Sequence, residues 1–348
     1  MTIMTIVIVG GILPKNVLLY VKNLSGGYKT TYGYFRAVDR VSLDLYLREI
    51  VGIVGESGSG KTTLLKLISS KGCISPLILE QGEIMVENVD ASRISCEEWR
   101  KRVLGRELVY VPQAAYDAIY PYKKIWSFYK DMLKEHEVDI DSKETENQIK
   151  QDLARYIESV GLDTSILDRY PFELSGGMRQ RTIIAIASSL RPSVLLLDEP
   201  TSALDVITQK RVLSTIAEIF EKGYIKSALM SSHDVASLRQ LVHRIYVMYS
   251  GRIFEFADTD TVIKSPMHPY TQMLIESLEA FEGFKSYREY KPRVAYKSLT
   301  TIYDVWVLKG CKFHPRCPYA SDVCRMEEPP TVEIGEGHHV MCWLYVKR

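Results

Sequence analysis

The chain is predicted to be an α/β protein with a parallel-sheet core. An antiparallel β region precedes that core, a helical region is inserted into it, and a small Cys-rich C-terminal extension follows. Three observations carry this reading. The loop Gly55-Glu-Ser-Gly-Ser-Gly-Lys-Thr62 lies between a compact apolar strand pattern, Glu49 to Val54, and a helix pattern, Lys61 to Ser70. The run Val194-Leu-Leu-Leu is apolar throughout before Asp198-Glu199-Pro200, as expected of a strand buried on both faces. Between these two stands the octapeptide Leu174-Ser-Gly-Gly-Met-Arg-Gln-Arg181.

The elements follow in order. Val17 to Leu47 alternates short β-rich runs with Gly and Tyr turns, which predicts antiparallel strands. Gly82 to Glu87 and Leu108 to Val111 are further strand patterns. From about Ala114 to Tyr170 the composition turns charged and helical, with helix periodicity over Gln148 to Val160 and Gly161 as its stop. This predicts a helical subdomain over about 114–172. Val206 to Gly223 reads as a helix, Ala228 to Ser231 as a strand, Asp234 to Val242 as a helix, and Ile245 to Phe256 as a hairpin on a Ser-Gly turn. After Ser265 the pattern breaks. Ser-Pro-Met-His-Pro-Tyr-Thr leads into a short helix, a Tyr/Lys-rich linker runs from Gly283 to Lys297, and a cysteine-rich tail begins near Gly310. The expected division is a domain at 17–264 and an extension at 265–348.

Bulk properties narrow the function. The 348 residues carry a formal net charge of +1, which gives no electrostatic case for nucleic acid or an anionic membrane as the main partner. Hydrophobic content of 46% is ample for a core. No apolar run approaches the roughly 20 residues that span a bilayer. Met1 to Leu13 is apolar but lacks a basic n-region and a small-residue cleavage site, so it reads as an edge strand or a disordered tail. The expectation is a cytosolic protein that meets membranes through partners.

The Gly55–Thr62 loop has the spacing and the strand–helix flanks of a phosphate-binding loop. Its glycines let backbone N–H groups face phosphate oxygens, and the following helix adds a field that favours anions. Lys61 would reach the β- and γ-phosphates, and the Thr62 hydroxyl would hold Mg²⁺, which prefers oxygen ligands. Asp198 would bind Mg²⁺ through a water. Glu199 would orient and polarise the attacking water, since phosphoryl transfer needs positioning and charge stabilisation more than covalent help.

With these elements in this order, the chain resembles an ATP-binding cassette (ABC) transporter ATPase over roughly Val17 to Lys264. The resemblance implies an ATP site formed by Gly55, Glu56, Ser57, Gly58, Ser59, Gly60, Lys61, Thr62 and Thr63. It implies that Tyr28, in a turn well before the loop, stacks on adenine. Gln113 matches the glutamine that touches Mg²⁺ and senses the nucleotide, and His233 matches the switch histidine at the γ-phosphate. Glu199, His233 and Gln113 are thus the expected catalytic group, and Thr62, Gln113 and Asp198 the expected Mg²⁺ ligands. Leu174 to Arg181 matches the family signature, in which Ser175, Gly176 and Gly177 begin a helix and cap the γ-phosphate held by the opposite cassette. Ser202-Ala-Leu-Asp205 matches the loop that crosses the dimer interface. One segment departs: the peptide-importer branch usually continues the glutamine with Asp-Pro and Ser-Leu-Asn-Pro, whereas this chain reads Gln113-Ala-Ala-Tyr-Asp-Ala-Ile-Tyr-Pro121. That segment neighbours the contact with membrane partners in the family.

Four of six cysteines cluster in the tail, as Cys311-x5-Cys317-x6-Cys324-x17-Cys342. No C-x2-C knuckle typical of zinc occurs, and iron–sulfur ligation tolerates longer spacings. The residues alone leave a cluster, zinc and metal-free cysteines open, with His314, His338 and His339 as alternative ligands. With His268-Pro-Tyr270, the tail resembles the C-terminal extension of oligopeptide and dipeptide importer ATPases over about Ser265 to Trp343. That resemblance implies a [4Fe–4S] cluster on Cys311, Cys317, Cys324 and Cys342. Cys73 and Cys96, far apart from these, read as ordinary side chains.

The resemblance further implies an ATPase on the cytoplasmic face of the membrane that powers uptake of oligopeptides or dipeptides. Its partners would be a paralogous ATPase or a second copy, two permease subunits and an extracytoplasmic binding protein. Oligosaccharide import is the alternative cargo. A soluble cassette acting on ribosomes or DNA is the remote one, because the chain lacks a second cassette and coiled-coil inserts.

Overall fold

The computed structural model describes residues 13–14, 16–113, 119–140, 142–282, 305–306 and 308–346. The expected edge strand or tail before Leu13, most of the 114–121 segment and the Tyr/Lys-rich linker therefore lie outside the described residues.

The first strands, β1 (Val17–Thr30) and β2 (Gly33–Tyr46), form the expected antiparallel pair, with Tyr28 opposite Phe35. β3 (Ile50–Val54) is buried at every position and runs into the glycine loop, and α1 (Lys61–Ser70) follows. β4 (Leu77–Val86) and the short β5 (Val89–Asp90) complete a sheet of order β2-β1-β4-β5. Leu19, Val21, Leu24, Val38, Val41 and Leu43 supply its apolar face, which packs with α1 residues Leu64, Leu65, Leu67 and Ile68 in one cluster.

Next come α2 (Cys96–Arg102), opened by a Ser95/Glu98 capping box, and β6 (Leu108–Val111). The inserted helical region contains α3 (Ile125–Glu135) and α4 (Lys143–Ser159). α4 begins before the periodic stretch, because the Ser142 side chain accepts from the Thr145 backbone N–H at 3.0 Å and caps an extra turn. α5 (Gly176–Ser189), β7 (Val194–Asp198), α6 (Val206–Glu221) and β8 (Ser227–Ser232) follow. α7 is only Val235–Leu238, shorter than expected. The chain must turn early there, since the His243 backbone N–H already bonds Ile50 O at 2.8 Å. β9 (Arg244–Tyr249) and β10 (Arg252–Asp258) form the expected hairpin, with Ser250 and Gly251 both at positive φ.

The main sheet has the order β11-β12-β10-β9-β3-β8-β7-β6. β6, β7, β8, β3 and β9 run parallel, so their C-terminal ends gather on one edge. α8 (Thr259–Lys264) and α9 (Pro269–Glu282) follow β10; α9 has 14 residues, longer than the short helix expected. Among the described residues, the tail contributes α10 (Asp322–Met326), β11 (Thr331–Gly335) and β12 (His338–Met341). β12 pairs with β10, Phe256 opposite His339, so the tail extends the main sheet, which its sequence pattern did not suggest. β12 thereby covers what would be an exposed strand edge.

The reading of Cys73 and Cys96 as ordinary side chains is overturned: they form a disulfide, with Cα atoms 5.9 Å apart. That spacing suits a disulfide. It arises because α2 docks on the end of α1, where Trp99 Nε1 donates to Ser69 O at 2.6 Å. A contact across 23 residues of sequence leaves no local trace. Trp99 is fully buried in this junction. Trp99→Ala should lower unfolding free energy by about 3–5 kcal/mol. The measurement is the urea midpoint by far-UV circular dichroism with the disulfide intact.

Candidate active site

The glycine loop leaves the C-terminal end of β3 and enters α1 at Lys61. Gly60 has φ +107°, and a Cβ there would lie 2.5 Å from Ala37 O, so no other residue fits. Lys61 is buried; its Nζ donates to Gly55 O at 2.8 Å and Glu56 O at 3.1 Å. Burial lowers its pKa, while Glu199 and Asp198 oppose that shift. The buried Ser59 hydroxyl lacks a hydrogen-bond partner among the described residues. The loop therefore offers one amine and one hydroxyl ready for an anion.

Asp198 ends β7 and is 1% exposed. A buried carboxylate must be hydrogen-bonded, and three hydroxyls serve it. Thr62 Oγ1 donates to Oδ1 at 3.0 Å, Ser231 Oγ to Oδ1 at 2.7 Å, and Tyr110 OH to Oδ2 at 3.0 Å. Burial and the Asp198 charge raise the Tyr110 pKa. The Thr62 hydroxyl and the Asp198 carboxylate are hard oxygen donors side by side, a donor set that fits Mg²⁺.

Glu199 stands one residue on, at φ +43°. Its backbone N–H donates to Ser231 Oγ at 3.0 Å. Gln113 Nε2 donates to its Oε2 at 3.2 Å, His233 Nδ1 lies 3.3 Å from the same oxygen, and Lys61 Nζ lies 3.7 Å from Oε1. Four polar side chains from separate strand and helix ends thus meet where the parallel sheet opens. They face a cleft of about 1100 Å³. Tyr28, Phe35, Ser57, Gly58, Thr62 and Thr63 also line it. Tyr28 lies within β1, not in a turn, and its OH is 3.1 Å from Thr63 Oγ1.

The signature opens α5. The Ser175 side chain accepts from the Met178 N–H at 3.4 Å and caps the helix. Gly177 is required by close approach: a Cβ would lie 2.3 Å from Thr208 Cγ2. Gly176 borders the cleft, whereas Ser175, Gly177 and Asp205 do not line it. Asp205 caps α6, accepting from Ile207 N at 3.1 Å and Thr208 N at 3.0 Å. The Thr208 hydroxyl, donating to Asp205 Oδ2 at 2.6 Å, and then these backbone bonds hold its pKa below the usual range.

In the tail, Cys311, Cys317, Cys324 and Cys342 are outside any disulfide. Burial, with a contribution from the three other sulfurs, pushes the Cys311 thiol up to about 12. Among the described residues, no three His, Cys, Asp or Glu side chains are grouped to hold a single metal ion. Two of the alternative ligands are occupied otherwise: His338 Nε2 lies 2.7 Å from Glu255 Oε1, and His339 stacks on Phe256.

Four residues at this site escaped sequence reading. Tyr110 and Ser231 bond Asp198, and Tyr270 and Arg316 bond Glu56. The serine pair before His233 was a usable signal for Ser231. Tyr270 stood out only as part of His268-Pro-Tyr270 in the tail, and nothing local marks Tyr110 or Arg316.

The comparisons with known proteins give the family and the fold. The family described as ABC transporter matches residues 38–202, and the family described as oligopeptide/dipeptide transporter, C-terminal region, matches residues 254–324. The dipeptide transport ATP-binding protein DppD of Caldanaerobacter subterraneus is 34% identical, over 95% of this chain and 98% of its own length. DppD of Escherichia coli is 36% identical, over 93% and 96%. The oligopeptide transport ATP-binding protein AppF of Bacillus subtilis is 34% identical, over 95% and 96%. Among solved structures, the dimeric post-hydrolysis state of the cassette MJ0796 bound to ADP and Pi superposes with a TM-score of 0.59 at 25% identity, over 70% of this chain and 99% of that one. With its glycine loop, acidic strand end and signature helix on one sheet, the chain belongs to the ABC transporter ATPases, among the dipeptide and oligopeptide transport ATP-binding proteins.

Proposed function

We propose that this chain hydrolyses ATP to power uptake of dipeptides or oligopeptides, as a cassette at about 17–264 with a C-terminal extension at 265–348. One observation carries the chemistry: Glu199 is met by Lys61, Gln113 and His233 at the open end of the parallel sheet. The cargo class rests on the relatives' names and on the match of the C-terminal region.

In this reading the Gly55–Gly60 backbone and Ser59 receive the phosphates, and Lys61 leaves the loop carbonyls to reach the β- and γ-phosphates. Tyr28 and Phe35 wall the cleft on the side proposed for adenine. Thr62, Asp198 and Gln113 would hold Mg²⁺, which neutralises charge on the phosphate oxygens when bound. Glu199 orients and polarises the attacking water, and Gln113 and His233 fix its carboxylate. Ser175, Gly176, Gly177 and Asp205 serve the site of a neighbouring cassette, either a paralogue or a second copy. Tyr120, Tyr122 and Phe172 are large exposed apolar groups, with the Tyr122 and Phe172 ring centroids 6.4 Å apart. They support docking against two membrane permease subunits at the cytoplasmic face; the extracytoplasmic binding protein that would supply cargo rests on the relatives' transport names. Among the described residues, no helix is long and apolar enough to cross a membrane.

The four tail cysteines are proposed to carry a [4Fe–4S] cluster that ties the extension down. What supports this reading is that four of the six cysteines fall in the tail and that none of these four is in a disulfide.

Lys61→Ala should weaken ATP binding by about 10- to 100-fold, the worth of charge-assisted phosphate hydrogen bonds. Unchanged affinity by calorimetry would count against the loop assignment. Glu199→Gln should still bind ATP, accumulate as a dimer by light scattering and lose about 10²- to 10⁴-fold in turnover. Near-normal turnover in that variant would refute the role of Glu199. Anaerobic purification should give a brown protein with about four irons per chain, the content of a [4Fe–4S] cluster. A colourless, iron-free protein with fully titratable thiols would sink the cluster.

A further inference from the structure

Glu56 is the second residue of the phosphate loop, and its polar groups are all committed. Its C=O accepts from Lys61 Nζ at 3.1 Å and from the Ser59 N–H at 3.1 Å, both within the loop. Its other two contacts come from the C-terminal extension. The backbone N–H donates to Tyr270 OH at 2.8 Å. The carboxylate receives a two-pronged fork from Arg316, Nη1 to Oε2 at 2.8 Å and Nη2 to Oε1 at 2.9 Å.

The Arg316 side chain is only 9% exposed and is itself held in place. Its guanidinium lies 5.5 Å from the Phe313 ring centroid and 5.9 Å from that of Tyr249, with Met273 Sδ 3.3 Å from Nη2. Its backbone N–H bonds Phe313 O at 3.0 Å in a tight turn. Tyr270 is fully buried at the start of α9, with its ring 4.6 Å from that of Tyr249 in β9. Both groups are therefore rigid, and both are anchored on the sheet that carries the loop.

Two physical consequences follow. A loop fixed before its ligand arrives loses less conformational entropy on binding. A carboxylate next to an anion site would repel phosphate, and the Arg316 fork both turns it aside and compensates its charge. We propose that Arg316, with Tyr270, is a positioning residue for the phosphate loop. Through Glu56, the extension sets the affinity of the cassette for nucleotide. Arg316 lies between Cys311 and Cys317, so a change in the fold of that segment reaches the nucleotide site through one ion pair. This inference rests on the ATPase reading above.

The test is calorimetry of ADP with Mg²⁺ on the full chain, with a thermal melt of each variant alongside. Arg316→Ala should weaken binding about 5-fold or more, in the range of ordinary coupling between sites. Arg316→Lys should recover part of the loss, because an ammonium keeps the charge without the fork. In a Glu56→Ala background, adding Arg316→Ala should change affinity little further. Tyr270→Phe, which keeps the buried ring, should also weaken binding and serves where Arg316→Ala fails to fold. A lower melting temperature with unchanged affinity in Arg316→Ala or Tyr270→Phe overturns the proposal, as does an equal Arg316 effect with and without Glu56. Binding by the unaltered chain and all variants alike overturns this inference alone. No binding by the unaltered chain overturns it together with the nucleotide reading.

Discussion

The buried carboxylate of Asp198 is the constraint on which the site depends. It sits at 1% exposure, where a charge without partners is strongly unfavourable. Three hydroxyls meet it, one from α1, one from β6 and one from β8. Those elements flank β7, so the charge and the parallel order of the sheet specify each other. Ser231 carries the constraint one step further, donating to Asp198 and accepting from the Glu199 backbone N–H. Glu199 is thus aimed by the group that satisfies its neighbour.

The same logic of shared supports joins the extension to the cassette. Tyr249 and Phe254 belong to β9 and β10, yet they pack with Tyr270 and Phe313 from beyond residue 265. β12 pairs with β10 in the sheet itself. Glu255, fully buried, takes His338 from β12 and the backbone N–H groups of Met267 and His268. An extension docked this closely has a direct mechanical route to the phosphate loop through Arg316 and Glu56.

Most of the fold was legible locally. Lys61 to Ser70 is the helix its pattern predicts, and the Ser250-Gly251 hairpin closes as its dipeptide demands. α7 and α9 differ from expectation in length because their ends are set by strand entry and by packing, not by periodicity. β11 and β12 were missed because both are short strands: β12 pairs with β10, some 80 residues earlier, and β11 forms on β12 once that pairing is made. The disulfide of Cys73 with Cys96 was missed for the same reason: docking of α2 on α1 creates it.

By itself, the sequence determined the chemistry of the nucleotide site. A loop needing positive φ, an amine, a hydroxyl and two carboxylates at a strand end are residue types at fixed spacings, and their purpose is written in that local order. Tertiary structure decided what those groups lean on. That Tyr110 serves Asp198, that Gln113 and His233 share one oxygen of Glu199, and that Arg316 grips Glu56 across 260 residues are outcomes of strand order and packing. A hydrogen bond has a range of about 3 Å in space and none along the chain, so only the folded backbone could bring these partners together.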